Sequence, residues 1–220
     1  MATKEFWLAS TSPRRREMLA WLDWEFQASA ANIDESRLSG EKAREHVCRL
    51  AYEKVIAPIP DLAENAAVIA ADTIVVLDEK IIGKPADQAG AYETLIRLRG
   101  RTHWVYTALA VLVNGNITQD ICRSEIRMRD YTDEEISQYI SGGDPMDKAG
   151  AYAIQNKDFH PVVDFTGCMA SVMGMPLCHL ERTLKKCSVM EPNGFARACK
   201  NHLKYKCSIS ARVLAGENIG

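Results

Sequence analysis

Ala67-Val68-Ile69-Ala70-Ala71 is an apolar run with no polar alternation, the mark of a strand buried on both faces. Such a strand needs cover above and below, so an α/β architecture is what this chain can fold into. The run ends on Asp72-Thr73, and residues 74–77 continue extended. Asp72 is therefore expected at the C-terminal end of a buried strand, where open α/β sheets place ligand-binding residues. A carboxylate there can act as general base or hold a divalent cation; strand-end aspartates are also common as turns and caps.

Around this strand the pattern alternates. Residues 5–10 read as a buried strand and 13–22 as a helix; the polar loop at 31–39 carries Asp34 and Glu35. Ala43, Val47, Leu50, Ala51 and Val55 recur at helical spacing, predicting a helix over 41–57 that Pro58 and Pro60 break. Asp87 caps a helix through Leu98, closed at Gly100. Residues 103–113 and 117–128 are β runs around Asn114-Gly115-Asn116, a hairpin signal. Thr132 and Glu135 form a capping box for a helix to about Ser141. Residues 149–154 read as a further strand, and 177–186 as a last helix. The expectation is one α/β domain over 1–186 with a mixed sheet. Residues 187–220 are basic, cysteine-bearing and weakly periodic, a C-terminal extension of unknown role, either a helical appendage or partly disordered.

A second feature points to anions. In residues 8–19, Ser10, Thr11 and Ser12 precede Pro13, and Arg14, Arg15 and Arg16 fill the first helical turn. Cations there oppose the helix macrodipole. Hydroxyls, free backbone N–H groups and guanidinium forks together make a phosphate site. The plainer alternative is a Ser12 N-cap, Pro13 at the first helical position and solvated arginines.

The 220 residues suffice for one large domain, and 47% hydrophobic with 25% charged residues fits an ordinary globular protein. A net charge of −2 gives no overall pull toward nucleic acid or membrane. No apolar run reaches the length of a membrane span, and the first residues lead straight into a strand, which argues against a signal peptide. Seven scattered cysteines without tight pairing read as reduced, cytoplasmic thiols. Cys187, Cys199 and Cys207 with His202 suggest a zinc site, but the spacing lacks a C-x2-C knuckle.

Other candidates are weaker alone. Asp34-Glu35 can complete a hard-oxygen metal site with Asp72, or be a solvated acidic loop. Lys54, Lys84 and Lys148 lie near apolar segments and can reach phosphates as point charges, though each is more often a surface lysine. Gln155 offers a donor and an acceptor that can read a base edge. Neither a P-loop nor a G-x-S-x-G elbow nor an H-E-x-x-H helix is present.

Taken together, the segments LASTSPRRREML (8–19), IDES (33–36), LAYEK (50–54), AADTIV (70–75), GKP (83–85), LRGRTHWVYT (98–107), DPMDKAGAYAIQ (144–155) and VMGMPL (172–177) resemble the Maf family of nucleoside triphosphate pyrophosphatases. The resemblance runs from Trp7 to Lys186. It implies an inosine-triphosphatase-like mixed β-sheet flanked by helices with a deep central cleft, and hydrolysis of a nucleoside triphosphate to the monophosphate and pyrophosphate. A divalent cation (Mg²⁺, Mn²⁺ or Co²⁺) is implied as cofactor. Asp72 matches the catalytic proton acceptor; Ser10, Arg15, Lys54, Lys84 and Lys148 match the phosphate region; Glu35 matches the acidic position near the metal. Arg14, Thr73 and Gln155 match the base-specificity positions and resemble the branch acting on dTTP and UTP. An aromatic residue there would suit a methylated purine; Gln155 suits a pyrimidine edge. Residues 156–171 lack the family's glycine-rich run, Ser171 stands where asparagine is common, and the tail has no counterpart.

The expected reaction is attack of water on the α-phosphorus, with Asp72 as base and the arginine and lysines stabilising the leaving pyrophosphate. The rival is a non-catalytic nucleotide-binding regulator of cell division or septum formation; nucleic-acid binding would need a basic face with stacking aromatics. The expected partner is the nucleotide, with neither nucleic acid nor membrane, and a homodimer as the assembly to test.

Overall fold

The strand expected from the apolar run is longer than the run itself. In the computed structural model, which describes residues 5–60, 62–189 and 193–219, β3 spans Ala67–Leu77 without a break at Asp72. The expectation of no leader falls on residues 1–4, and parts of the tail on 190–192 and 220, all outside the described residues.

Seven strands form one mixed sheet. β1 (Phe6–Ala9) and β2 (Gln27–Ser29) lie parallel beside β3, in the order β2-β1-β3. On the other side come β5 (Thr102–Val113), β6 (Asn116–Met128) and β7 (Val162–Thr166), all antiparallel. The hairpin turns at Asn114 (φ 49°) and Gly115 (φ 75°), the left-handed pair that a two-residue turn requires.

The edge of β3 facing β1 is covered in two pieces. β1 pairs with it only from Ala67 to Ile69, and the short β4 (Lys80–Ile82) folds back on it from Val75 to Leu77. Over residues 70–74, β3 is paired with β5 alone. Asp72 and Thr73 sit in this gap. This corrects the expectation that Asp72 ends a strand: β5 pairs with β3 from Ala67 to Val76 and carries the strand past Asp72. It is β1 that stops, at Ala9.

Alternation along β3 sends its side chains to two helical layers. Val68, Ala70, Ile74 and Val76 pack with Val47, Ala51 and Val55 of α2 (Ala43–Ile56). Ile69 and Ala71 pack with Met18 and Leu19 of α1 (Pro13–Ala20) and with Leu177, Leu180 and Leu184 of a late helix. A third core, around Leu95, Leu98, Ile126 and Ile136, seats α3 (Gln88–Leu98) and α4 (Asp133–Ser141). The caps are those expected: Asp87 accepts from the Gly90 N–H, and Thr132 and Glu135 bond reciprocally.

Residues 149–154 are not a strand. They begin in a 3-10 turn (Ala149–Ala151) with left-handed Gly150 (φ 74°) and Ala151 (φ 57°), which no strand accommodates. Gly150 lies so close to β3 that a Cβ would meet Val75 at 3.0 Å. The place beside β6 goes to β7.

α5 (Met169–Val172) and α6 (Leu177–Lys186) follow, then α7 (Phe195–Leu203) and α8 (Ser210–Leu214) of the tail. Phe195 and Val213 are buried. Arg182 of α6 forks onto Asp120 at 2.8 Å through two nitrogens and donates to the carbonyls of Val213 and Glu217. His202 stacks on Trp21 at 4.8 Å. Among the described residues, Cys187, Cys199, Cys207 and His202 form no metal-ligand group.

Two predictions follow from the packing. Gly167 has φ 125°, and a Cβ there would meet Ser124 backbone at 2.9 Å. Gly167→Ala should therefore destabilise the fold by about 1–3 kcal/mol, read as a lower urea midpoint. His103 is buried, its Nε2 bonded to the Tyr152 hydroxyl at 2.8 Å, and burial pushes its pKa down to about 4. The unfolded chain takes up this proton near pH 6.5 and the native state does not, so stability falls as pH drops from about 6.5 toward about 4, by up to about 3 kcal/mol. Urea titrations at two pH values should show the slope, and His103→Gln should flatten it.

Candidate active site

A cleft of about 680 Å³ opens at the gap in β3. It is filled with charge from separate elements. Lys54 lies on the same stripe of α2 as Leu50, Ala51 and Val55, so its stem is directed at the sheet. Asp72 shares the alternation of Val68 and Ala70 and points to the same side. Their charges meet at 2.6 Å, Lys54 Nζ to Asp72 Oδ1, with both side chains about nine-tenths buried. Glu35, from the loop after β2, approaches the same ammonium at 2.6 Å while staying 57% exposed. Burial pushes the Glu35 carboxyl up, but Lys54 with Lys84 and Arg15 outweighs it and holds it below the ordinary range.

The opposite wall is built from the other face of β3. Arg15 reaches over from α1, donating Nη2 to Thr73 Oγ1 at 3.1 Å and Nε to the Gly174 carbonyl at 3.0 Å. Thr73 is hydrogen-bonded to Thr107 at 3.0 Å, and Thr107 donates to the Ser171 carbonyl at 2.7 Å. Burial lowers the Arg15 pKa, against the pull of Asp72 and Glu35. The fork is fixed by neutral acceptors with no carboxylate among the described residues bound to it directly, a ready receptor for an anion.

Lys84 and Lys148 also line the cleft. Lys148 is held by Asp144 at 3.1 Å and by Asp147. Arg14 and Thr73, two of the three base-specificity candidates, are on the lining; Gln155 is not, standing beside lining residue Ile154 with its Oε1 buried and unpartnered. Ser10 is also off the lining: it is buried, and its Oγ accepts from the Ser12 N–H at 3.1 Å. Ser12 itself caps α1, accepting from the Arg15 N–H, so the plain capping role is real and coexists with the Arg15 fork.

A family model described as Maf-like protein matches residues 5–187. The chain belongs to this family. It is 43% identical over 185 residues to a dTTP/UTP pyrophosphatase of Myxococcus xanthus, covering 84% of this chain and 93% of that one. It is 42% identical to one of Shewanella frigidimarina (80% and 94% covered) and 38% identical to one of Dictyoglomus turgidum (83% and 96% covered). Among solved structures, a dITP/XTP pyrophosphatase of Mycobacterium abscessus is similar at 15% identity over 58% of this chain and 75% of that one, with a TM-score of 0.37, too slight a likeness to carry an argument.

Sequence reasoning overlooked several parts of this Maf-like site. Lys80 of β4 lines the cleft, as do Arg37 and His46. Thr107, Ser171 and Gly174 supply the hydrogen bonds that fix Thr73 and Arg15. Of these, Gly174 has a backbone that calls for its residue type. Its φ of 103° favours glycine, and a Cβ would stand 3.4 Å from both Arg15 Nε and Thr73 Oγ1.

Arg15→Lys keeps the charge but loses the fork, since an ammonium cannot serve Thr73 and Gly174 in one plane. Substrate turnover should fall by about 10-fold or more, the cost of roughly 1.4 kcal/mol, with little change in urea midpoint.

Proposed function

We propose that this Maf-like protein is a nucleoside triphosphate pyrophosphatase, hydrolysing dTTP and UTP to the monophosphate and pyrophosphate. The observation that carries the reading is the convergence of Asp72, Glu35, Lys54 and Arg15 on one cleft. The relatives named dTTP/UTP pyrophosphatase, at 38–43% identity over most of the chain, support the substrate.

In this reading the triphosphate lies along the cleft, between Arg15 on one wall and the lysines on the other. Asp72 takes a proton from water as its oxygen bonds to the α-phosphorus. The α–β bridging bond breaks and pyrophosphate leaves, its charge met by Arg15, Lys84 and Lys148. Lys54 keeps the Asp72 carboxylate aimed. Ser10 acts through the turn that precedes α1. Arg14, Thr73 and Gln155 lie toward the base.

A divalent cation, Mg²⁺, Mn²⁺ or Co²⁺, fits the donor set. Glu35 and Asp72 already share one cationic centre, the Lys54 ammonium, at 2.6 Å each, and one or two carboxylates plus substrate phosphates are what Mg²⁺ uses. When bound it would neutralise phosphate charge.

No described helix is long and apolar enough to cross a membrane. All seven cysteines are free, which supports a reducing, cytoplasmic setting. The net charge of −2 supports a nucleotide rather than nucleic acid as partner.

The test is pyrophosphate release from a nucleotide panel with each of the three cations. Release should favour dTTP and UTP, and Asp72→Asn should lose about 10²–10⁴-fold in kcat with an unchanged circular-dichroism spectrum. A purine preference would overturn the base assignment; full activity in Asp72→Asn would remove Asp72 from the chemistry. Nucleotide binding without release from any substrate would overturn the enzyme reading.

A further inference from the structure

Three side chains outside the cleft meet behind its Arg15 wall. Cys122 comes from β6, Cys168 from the turn before α5 and His179 from the first turn of α6. The two sulfurs and an imidazole nitrogen all lie within 4.8 Å of one another, and all three residues are buried. One nitrogen of the imidazole is left without a partner among the described residues. Nε2 of His179 faces the Ile219 carbonyl oxygen at 3.1 Å. A carbonyl only accepts, so Nε2 carries the proton and Nδ1 keeps its lone pair. That Nδ1 is buried with no hydrogen-bond partner among the described residues. A backbone carbonyl holding the far ring nitrogen is the usual outer-shell support of a metal-bound histidine.

The donors are soft and so is the surrounding. Cys122 and Cys168 belong to the apolar core that includes Met173, Met175, Leu177 and Leu180. Two thiolates and an imidazole suit Zn²⁺ or Cu⁺, not the hard cation that carboxylates and phosphates attract.

We propose that Cys122, Cys168 and His179 form a buried site for one thiophilic ion, Zn²⁺ or Cu⁺, separate from the carboxylate cleft. A tetrahedral zinc site, with Zn–S about 2.3 Å and Zn–N about 2.0 Å, places its ligand atoms roughly 3.5–3.8 Å apart, so small side-chain rotations close the trio on an ion. Each thiol gives up its proton to solvent as its sulfur bonds to the metal, and no electron changes hands. With Zn²⁺ the two thiolates leave the buried site neutral, with a fourth position to be filled; Cu⁺ is satisfied by three donors. The site ties β6, α5 and α6 together and, through Ile219, the end of the tail. Residues 168–174 also present the Ser171 and Gly174 carbonyls to Thr107 and Arg15, so the ion braces the cleft wall from behind.

The test uses the 220-residue chain with its cleft residues intact, in excess Mg²⁺, which occupies the carboxylates and keeps the cleft out of the count. The protein is reduced, loaded with Zn²⁺ or Cu⁺ without oxygen, desalted and analysed by elemental mass spectrometry. One ion per chain should remain, and competition with a Cu⁺-selective chelator decides between the two. Co²⁺ in their place should give a thiolate charge-transfer band in the near ultraviolet, which carboxylate ligands do not produce. Cys168→Ala and His179→Gln should lose ion and band, while Cys199→Ala and Cys207→Ala keep both. Where a core variant fails to fold, the chain with its three ligands intact still decides: its thermal midpoint should rise with the ion and fall on chelation. Substoichiometric retention with no cobalt band and an indifferent midpoint overturns the proposal. So does full retention in folded Cys168→Ala and His179→Gln.

Discussion

The cleft depends on one buried ammonium. Lys54 stands between Asp72 and Glu35 at 2.6 Å from each. Removing two charges from water costs several kcal/mol each, and only close pairing repays it. Taking away Lys54 would leave the Asp72 charge uncompensated against the sheet. The arrangement therefore fixes more than itself. It sets the rotation of α2 on β3, since Lys54 must lie on the buried stripe, and it anchors a loop with no regular structure of its own. The two carboxylates are held side by side on the cleft, the placement that a general base or a metal ligand needs.

The gap in the edge of β3 makes room for this. A strand paired fully on both edges would have no place for a ligand beside residues 70–74. β1 stops at Ala9 and β4 returns only at Val75, so backbone that would otherwise be covered opens onto the cleft. Successive residues then serve opposite walls. Asp72 faces α2 and the acidic loop; Thr73 faces α1 and α5. Two adjacent side chains on a strand point to opposite faces as a matter of geometry, and here that geometry divides base chemistry from anion binding.

Much of this was legible in the chain. The continuous apolar run disclosed a doubly covered strand, the helical spacing disclosed α2, and Asn114-Gly115 gave the hairpin, whereas Lys54 read as readily as a surface lysine. Three errors share a cause. Asp72 was read as a strand end because a charged residue normally marks one, whereas pairing with β5 extends the strand past it. Residues 149–154 look like a strand by composition, but Gly150 and Ala151 turn left-handed to bring the loop against Val75. β2 and β7 are short, half-exposed and weakly patterned, so tertiary pairing decides them. The bonds that fix Arg15 were beyond the sequence, because one runs to the Gly174 carbonyl and the other to a Thr73 held through Thr107 on the Ser171 carbonyl, and those carbonyl positions depend on the whole fold.

Those carbonyls explain how the far side of the molecule bears on the cleft. Residues 168–174 have two faces. One offers Ser171 and Gly174 carbonyls to Thr107 and Arg15; the other is built into the core shared with α6 and Phe195 of the tail. A guanidinium held by a backbone carbonyl is only as well placed as that backbone. The packing of α6 on the sheet, with α8 docked through Arg182 and α7 through Phe195, therefore bears on the Gly174 carbonyl and with it the Arg15 fork. The anion-binding wall is thus positioned by packing well outside the cleft, whereas the acidic wall is positioned by charge within it.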